Sequence, residues 1–461
     1  MNRLKLFRPI SLFLAAILSA QSVLAVPDQS DPSKRNRGAG IIRDAEIEGL
    51  LRIYAKPIFK VAGINSNSAK VVVIGETGIN AFVAGGQRIF VNAGLIIRAD
   101  RPNEVIGVLA HESGHIAGGH LAKMNSELAR ASTESIIGTV FGIAAMVGGA
   151  MTGSATAAQA GQGVVLGAQQ AAQRGVLVYQ RAMEATADES ALRYLEATGQ
   201  SAKGMLDLFR VLADESLAST HGADPYAYSH PMPFDRLRTL EATAKASANY
   251  NKPDSPALIL RHKLAQAKLV GFLQPQAVYQ RYPASDTSLP ARYAHAIALF
   301  RRGDMTNALP IIKSLTDELP QDPYFWELKA QAYLENGRAD EGLAAIVKAR
   351  AILPGNGLLQ ILHAQVLLGS ENPAHAAQAV LLLKAAQLTE PGEPEIYKFL
   401  AQAYGLQNKL PEAELATAEF AYSVGDRQLA IDKATIAQKY FKRGTPEWLR
   451  ASDILNFANK K

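Results

Sequence analysis

Apolar residues in this chain recur mainly three and four positions apart, the spacing of a helix buried along one face. One short stretch instead carries β-branched runs bounded by glycine and asparagine, which is typical of strands. We expect helices at 42–62, 104–120, 175–198, 202–219 and 234–247, and strands at 70–74, 79–84 and 88–92. The pattern therefore predicts a mainly α fold with a small β-sheet.

The C-terminal part of the chain repeats. Positions 34 residues apart carry the same residue: Ala296, Ala330 and Ala364; Gly303 and Gly337; Pro320 and Pro354. A further copy follows at Ala401 after a three-residue excess. This period is typical of tetratricopeptide (TPR) repeats, in which small residues let paired helices approach. We expect four repeats at about 289–427, with flanking helices at 257–282 and 428–458, and an inner groove that binds partners.

The segment from 136 to 175 does not fit a regular element. Residues 136–151 are apolar but contain four glycines, and 153–167 are almost wholly small or polar. The run is too short and too rich in glycine for a membrane-spanning helix. We expect a mobile helical flap beside the active site, able to touch a membrane or an apolar substrate; the alternative is a buried helical hairpin without a gating role.

The first residues have the pattern of a cleavable secretory signal. Basic residues precede an apolar run at 10–18, and small residues precede a cut after Ala25. The alternative, a retained anchor, requires about 20 apolar residues, more than this run supplies. We therefore predict a signal peptide at 1–25, a disordered leader at 26–41, a catalytic domain at 42–250 and a TPR domain at 251–461.

The amino-acid composition limits which side chains can bind a metal and which partners are expected. The chain has no cysteine, so a metal would have to bind through histidine and carboxylate. The net charge of +6 is spread thinly over the chain, without a basic block containing aromatic residues, so nucleic acid is not an expected partner. The signal sequence and the absence of cysteine favour the periplasm.

The motif His111-Glu112-x-x-His115 lies within an apolar helical run. At about 100° per residue, the two histidines share one helix face and can bind a single metal, while Glu112 beside them can activate water. This is the H-E-x-x-H pattern of zinc metallopeptidases. It predicts one Zn²⁺ per chain, with Glu112 as general base.

Catalytic zinc takes three protein ligands, so a third is missing from the motif. A histidine ten positions after His111 would serve, but that position is Leu121, and His120 would lie on the opposite face of a continuous helix. A glutamate from a second helix is the other solution, and Glu184 suits it, with Asp188 one turn later to hold a ligand histidine. This is the gluzincin arrangement; the alternative for Glu184 is a solvated helix charge.

With these motifs, Ser229-His230-Pro231, Arg236 and the repeats, the chain resembles the HtpX-related, BepA-like family of periplasmic β-barrel assembly-enhancing proteases. The resemblance implies that His111, His115 and Glu184 bind zinc and that His230 can take the fourth zinc position as a latch. It places Arg236 in the active-site cleft. It also implies degradation of misassembled outer-membrane proteins, help with their assembly, and docking of the TPR groove on the barrel-assembly machinery.

Without the resemblance, His230 could equally be an ordinary loop histidine, and Arg236 could either hold a peptide carbonyl or oxyanion or pair with a helix acid. We expect the strand containing Asn80, Ala81 and Phe82 to be the edge onto which an extended substrate adds. Two other functions stay open. The chain could be chiefly a TPR chaperone or scaffold with a latent or structural zinc site, or a membrane-embedded peptidase if 136–151 spans a bilayer.

Overall fold

The computed structural model describes residues 40–65, 69–130, 132, 178–218, 230, 234–370 and 372–458. Within them a four-stranded sheet is followed by helices, which confirms the mainly α fold with a small sheet. The signal sequence, residues 26–39 of the predicted leader and the 136–175 segment lie outside these residues. The leader was predicted to be disordered up to 41, but Ile41 pairs with Ile74 as part of a strand. No helix in the described part combines the length and the apolar character needed to cross a lipid bilayer.

The sheet is formed by β1 (Ile41–Ile42), β2 (Lys70–Ile74), β3 (Ala81–Ala84) and β4 (Arg88–Asn92), in the order β1-β2-β4-β3. β2 and β4 are parallel, whereas both edge strands are antiparallel to their neighbours. The hairpin from β3 to β4 turns at Gly85 and Gly86, both with positive φ, as expected for glycine. The sheet places β3 at one edge.

Two boundaries in and next to the sheet differ from the predicted ones. The first helix, α1 (Ala45–Val61), begins after Ile42, because 41–42 pair with β2 as a strand and Asp44 caps the helix by accepting from the Ile47 N–H. The second strand begins at Ala81 rather than 79, so Asn80 precedes it.

The metal-motif helix is α3 (Pro102–Ala117), which follows the short α2 (Ala93–Arg98). Our expectation of one helix continuing to His120 is wrong at its end. Gly118 caps the helix, Gly119 adopts a φ of 62°, and a new helix, α4 (120–130), starts at His120. This turn, which glycine allows, redirects His120.

Three further helices lie in the described residues of this half: α5 (178–197), α6 (Lys203–Ala218) and α7 (Phe234–Lys245). α3 packs against both α1 and α6. Where α3 meets α5, a Cβ on Gly114 would lie 2.9 Å from the Ala187 Cα, so the two backbones are in direct contact there. Only glycine permits that approach.

The C-terminal half begins with α8 (Pro256–Leu273) and the short α9 (Val278–Arg281). Antiparallel pairs follow: α10 (Leu289–Arg301) with α11 (Met305–Glu318), α12 (Pro323–Glu335) with α13 (Ala339–Ile352), α14 (Gly357–Gly369) with α15 (Pro373–Thr389), α16 (Pro394–Leu406) with α17 (Leu410–Ser423), and α18 (Arg427–Gln438) with α19 (Pro446–Ala458).

The recurring alanines Ala296, Ala330 and Ala364 are fully buried, and Gly303 and Gly337 close the turns between paired helices with positive φ. The aromatic residues at the repeat positions, Trp326, Tyr333, Tyr397 and Tyr404, are only half-buried. The small residues therefore set the helix spacing, and the aromatics lie at its margin.

One continuous core connects the two halves, with members from Ile42 in the sheet to Ala332 in α12. Polar contacts reinforce it. His262 of α8 contacts the Tyr54 hydroxyl (3.1 Å) and donates from Nε2 to the Ala99 carbonyl (2.9 Å), and the Gln266 amide donates to carbonyls of 96, 97 and 99. These bonds fix the segment that leads into the metal-motif helix.

Candidate metal centre

Four side chains from three separated parts of the chain meet in what we call the metal cluster: His111 and His115 of α3, Glu184 of α5, and His230. Their potential ligand atoms all lie within 4.8 Å of one another. His111, Glu184 and His230 are buried, and 11% of the His115 side chain is exposed. The pair predicted from the motif and the predicted third ligand are thus together.

The distances between these atoms match a small coordination polyhedron. His115 Nε2 and His111 Nε2 are 3.0 Å apart, and Glu184 oxygens lie 3.4 Å from His111 Nε2 and 3.3 Å from His115 Nε2. His230 Nδ1 lies 3.3 Å from His111 Nε2 and 3.1 Å from Glu184. A tetrahedron with metal–ligand bonds of 2.0–2.1 Å has edges of about 3.3 Å. The cluster has the size that a tetrahedral metal requires.

The position of the ring proton on His111 also favours a cation bound within the cluster. Asp188 Oδ1 lies 2.9 Å from His111 Nδ1, which places the ring proton on Nδ1 and leaves a lone pair on Nε2. That lone pair faces the Nε2 of His115 and the Glu184 carboxylate. Nitrogen lone pairs and a carboxylate that converge in a buried site repel one another unless a proton or a metal lies between them. The residues therefore fit a divalent metal ion.

Without a metal, the pKa values of these side chains reflect the same crowding of buried groups. Burial lowers the pKa of His115 to about 4 despite the Glu184 contact. For His111, burial is outweighed by the bonds to Asp188 and Glu184, which raise its pKa to about 10. Burial would raise the pKa of Glu184, but the three histidines hold it well below the ordinary range. Glu184 is therefore an anion, as a metal ligand must be.

Glu112 lies beside the cluster and is fully buried. Among the residues that the structure describes, neither of its carboxylate oxygens has a hydrogen-bond partner, and His230 Nε2 lies 3.5 Å from Oε1. Burial raises its pKa, with His230 and His111 opposing that rise. A carboxylate with free lone pairs and a raised pKa has the properties of a general base.

His120 contacts His115, and the sequence did not lead us to expect this contact. Because the helix breaks at Gly118, His120 turns back, is buried, and places Nδ1 3.0 Å from Nδ1 of His115. It therefore does for His115 what Asp188 does for His111: it holds the ring nitrogen that faces away from the cluster. The two glycines before His120 were the available signal.

Two further contacts position the side chains of the metal cluster. Phe209 of α6 packs edge-on against the His111 ring, with centroids 5.9 Å apart. Gly114 lies between the two motif histidines and touches Ala187, which lies between Glu184 and Asp188. The close backbone approach at Gly114 is therefore what brings both acids of α5 to the histidines of α3.

The other residues predicted for the site lie in or next to strand β3 and in helix α7. Ala81 and Phe82 lie in the edge strand β3, which packs on α3, and Phe82 stacks on Phe90 at 5.3 Å. Asn80 accepts the Asn92 N–H through its carbonyl (2.9 Å), and its buried side-chain oxygen has no partner among the described residues. Arg236 lies in α7, and its side chain is outside the described part.

Comparison with known proteins agrees with this geometry. Residues 44–244 match the sequence model of Peptidase family M48. The chain is 24% identical over 413 residues to "Beta-barrel assembly-enhancing protease" of Yersinia pestis, covering 87% of this chain and 82% of that protein. The protein of the same name from Escherichia coli K12 is 22% identical over 398 residues, covering 84% and 78%.

A shorter relative matches part of the chain. "Metalloprotease YcaL" of Escherichia coli K12 is 28% identical over 193 residues, which cover 40% of this chain and 68% of that protein. The metal cluster lies within the part that matches Peptidase family M48.

Proposed function

Because residues 44–244 of this chain form a Peptidase family M48 domain, we propose that the protein is a zinc-dependent endopeptidase whose metal is bound by His111, His115 and Glu184. The observation that carries the proposal is the convergence of two nitrogens and a carboxylate at tetrahedral spacing, beside a buried carboxylate without a partner in the described structure. Zinc is favoured because catalytic zinc sites use this ligand set.

When bound, the metal supplies Lewis-acid chemistry to a peptide carbonyl and to water. Glu112 accepts the proton of the attacking water and then delivers it to the leaving amine. Asp188 keeps the ring proton of His111 on Nδ1, so that Nε2 stays available as a ligand. These roles need no other acid or base from the described residues.

The substrate is proposed to add as an extended strand along β3, starting at Asn80. β3 is bonded to β4 on one side only and packs on α3, so its free edge runs beside the metal-motif helix. An unpaired edge binds extended peptides through main-chain hydrogen bonds with little dependence on sequence. We propose that Arg236 holds a peptide carbonyl or the oxyanion in the same cleft.

His230 is proposed to keep the enzyme latent. Its Nδ1 lies within hydrogen-bonding distance of Glu184, and its Nε2 lies 3.5 Å from Oε1 of Glu112. With a metal bound, a histidine in this position would take the fourth ligand position in place of water, and it would cover the base. Its removal would open the position to water.

The biological setting is inferred from the relatives' name. We propose that the signal at 1–25 directs the chain to the periplasm, where it degrades misassembled outer-membrane proteins and assists their assembly. The catalytic domain would span 42–250, and the helical pairs of 251–461 would be TPR repeats whose groove contacts the barrel-assembly machinery. Peripheral contact with a membrane would involve the segment at 136–175.

The test compares the wild type with Glu112→Gln and His230→Ala for metal content and for cleavage of an unfolded protein. Glu112→Gln should retain one metal per chain and lose cleavage by at least about 100-fold, since it removes the general base. His230→Ala should raise basal cleavage with metal still bound. Persistent proteolysis in Glu112→Gln would refute the proposal. If Glu112→Gln loses cleavage but fully rescues an assembly defect, the scaffold function is favoured.

A further inference from the structure

A cavity of about 860 Å³ lies between α1, the outer edge of β2 and the loop at 389–394 that joins α15 to α16. None of the residues of the metal cluster lines it. A smaller cavity of about 280 Å³ shares Glu48, Arg52, Thr389 and Glu390 with it and extends toward the loop before α14. Together they form an elongated depression, which we call the β2 groove.

One wall of the β2 groove is an incomplete sheet edge. β1 pairs with β2 only through Ile41 and Ile42, opposite Ile74 and Val73, and the Gly75 N–H donates to the Gly40 carbonyl at 3.0 Å. Alternate residues of a strand point their N–H and C=O groups to the same side. Val71 therefore directs its backbone groups toward the side where β1 has already ended.

The charges of the groove do not balance locally. Its lining includes the cations Arg43, Arg52, Lys56, Lys70 and Arg88 and the acids Glu48, Glu390 and Glu393, so five positive and three negative charges leave a net +2. Arg43 pairs with all three acids, at 2.7 Å to Glu48, 2.5 Å to Glu390 and in direct contact with Glu393.

The other four cations are exposed and form no ion pair with any acid in the described structure. Lys70 and Arg88 are register partners, so they lie side by side on the outer sheet face next to Val72 and Phe90. Arg52 and Lys56 project from α1 on the opposite wall, one helical turn apart. Two pairs of cations thus face a common space.

Between these charges the lining is apolar. Phe59 and Ala55 of α1 form the floor, and Val71 and Phe90 are half-buried at the sheet. Ile41, at the end of the groove, is 59% exposed. A ligand for this groove must therefore carry negative charge and also offer apolar groups.

We propose that the β2 groove binds an extended acidic peptide segment in which glutamate or aspartate alternates with apolar residues. Its backbone continues the β1 ladder at Val71, its carboxylates reach Lys70, Arg88, Arg52 and Lys56, and its apolar side chains pack on Phe59 and Phe90. The incomplete strand edge favours a peptide over an anionic lipid, because a lipid cannot pair with the Val71 backbone. The proposal requires binding only and is independent of peptide cleavage.

The test measures fluorescence anisotropy of a labelled hexapeptide of alternating glutamate and valine, capped at both ends, with the full chain carrying Glu112→Gln so that the probe is not cut. Arg52→Glu and Lys56→Glu, both on the exposed face of α1, should each weaken binding by about tenfold. Lys60→Glu is the matched control, since Lys60 is exposed on the same helix outside the groove, and it should change binding less than about twofold.

Two altered probes test the recognition itself. A peptide with lysine in place of glutamate, and one with N-methylated valines that cannot form a ladder, should each bind at least about tenfold more weakly. Equal affinity for the lysine peptide, or full binding in Arg52→Glu and Lys56→Glu, would overturn the proposal. Binding of phosphatidylglycerol vesicles that is lost in these variants, without peptide binding, would assign the groove to lipid instead.

Discussion

Among the described residues, two buried clusters of ionisable side chains differ in the cation that balances them. The metal cluster, His111, His115, Glu184 and His230, brings ligand atoms together without a lysine or arginine among them. The second, which we call the lysine cluster, surrounds buried Lys268 with Glu327 at 2.9 Å, Asp44 at 2.7 Å and Glu46 at 3.5 Å.

The lysine cluster connects the two halves of the chain. Asp44 and Glu46 belong to the start of α1, Lys268 to α8 and Glu327 to α12, while the Tyr293 hydroxyl of α10 donates to Glu46 at 2.9 Å. Burial would lower the pKa of Lys268, but the surrounding acids raise it well above its ordinary value, so the lysine stays charged.

The comparison shows why buried acids alone do not indicate a catalytic site. In the lysine cluster the protein supplies its own cation, so removing a partner should affect stability. The metal cluster contains no lysine or arginine, and its histidines can bind a metal ion, so removing a partner should affect metal affinity and catalysis. The following experiments test that distinction, starting with the largest expected effect.

Glu184→Gln should reduce metal affinity and proteolysis by more than about 100-fold, because even the outer partners of metal ligands contribute 10–100-fold. Glu189→Gln is the matched control, since Glu189 is exposed on the same helix. Metal content by elemental analysis and cleavage of an unfolded protein are the measurements. Normal metal binding by Glu184→Gln would remove Glu184 from the ligand set.

Lys268→Met should lower the free energy of unfolding by about 3–5 kcal/mol, because three acids lose their common cation in a buried position. Metal content of the folded protein should not change. Urea denaturation measures the loss. Adding Glu327→Gln should recover part of it, and no recovery would mean that Lys268 acts through packing alone.

His120→Ala should weaken metal binding by about 10–100-fold, because the His115 ring loses the group that holds its outward-facing nitrogen. Competition with a chelator measures the affinity. His120→Gln, which keeps a polar group at that position, should restore part of it, and Lys123→Ala, exposed on the same short helix, should have no effect. Equal affinity in His120→Ala would make the contact a packing feature only.

The smallest effect concerns pH. Burial raises the pKa of Glu46 to about 8, despite Lys268 nearby, whereas an unfolded glutamate titrates near 4.5. A carboxyl with a raised folded-state pKa contributes stability that is complete below about pH 4.5 and is lost as the pH rises through about 8. The wild type should therefore lose stability over this window relative to Glu46→Gln.

Thermal unfolding of the two proteins from pH 5 to pH 9 checks this sign. The amide of the Glu46→Gln variant cannot ionise but can still accept from Tyr293, so the two curves should diverge as the pH rises. Parallel curves would show that Glu46 is already ionised in the folded protein at low pH.

The sequence alone determined the parts that depend on local spacing. Helical periodicity and the H-E-x-x-H motif were sufficient to predict α3 and two of the clustered histidines, because residues four apart on a helix always share a face. The acid pair Glu184 and Asp188, also four apart, was predictable as one unit for the same reason. The 34-residue period likewise indicated paired helices, because each period is long enough for two helices and a turn.

The tertiary structure decided what depends on contacts between distant segments. That Glu184 reaches the histidines follows from the close approach of Gly114 to Ala187, and that His120 supports His115 follows from a turn allowed by Gly118 and Gly119. The lysine cluster and the β2 groove arise where the two halves of the chain meet. Local patterns constrain which side chains share a face; only packing of whole elements fixes which faces meet.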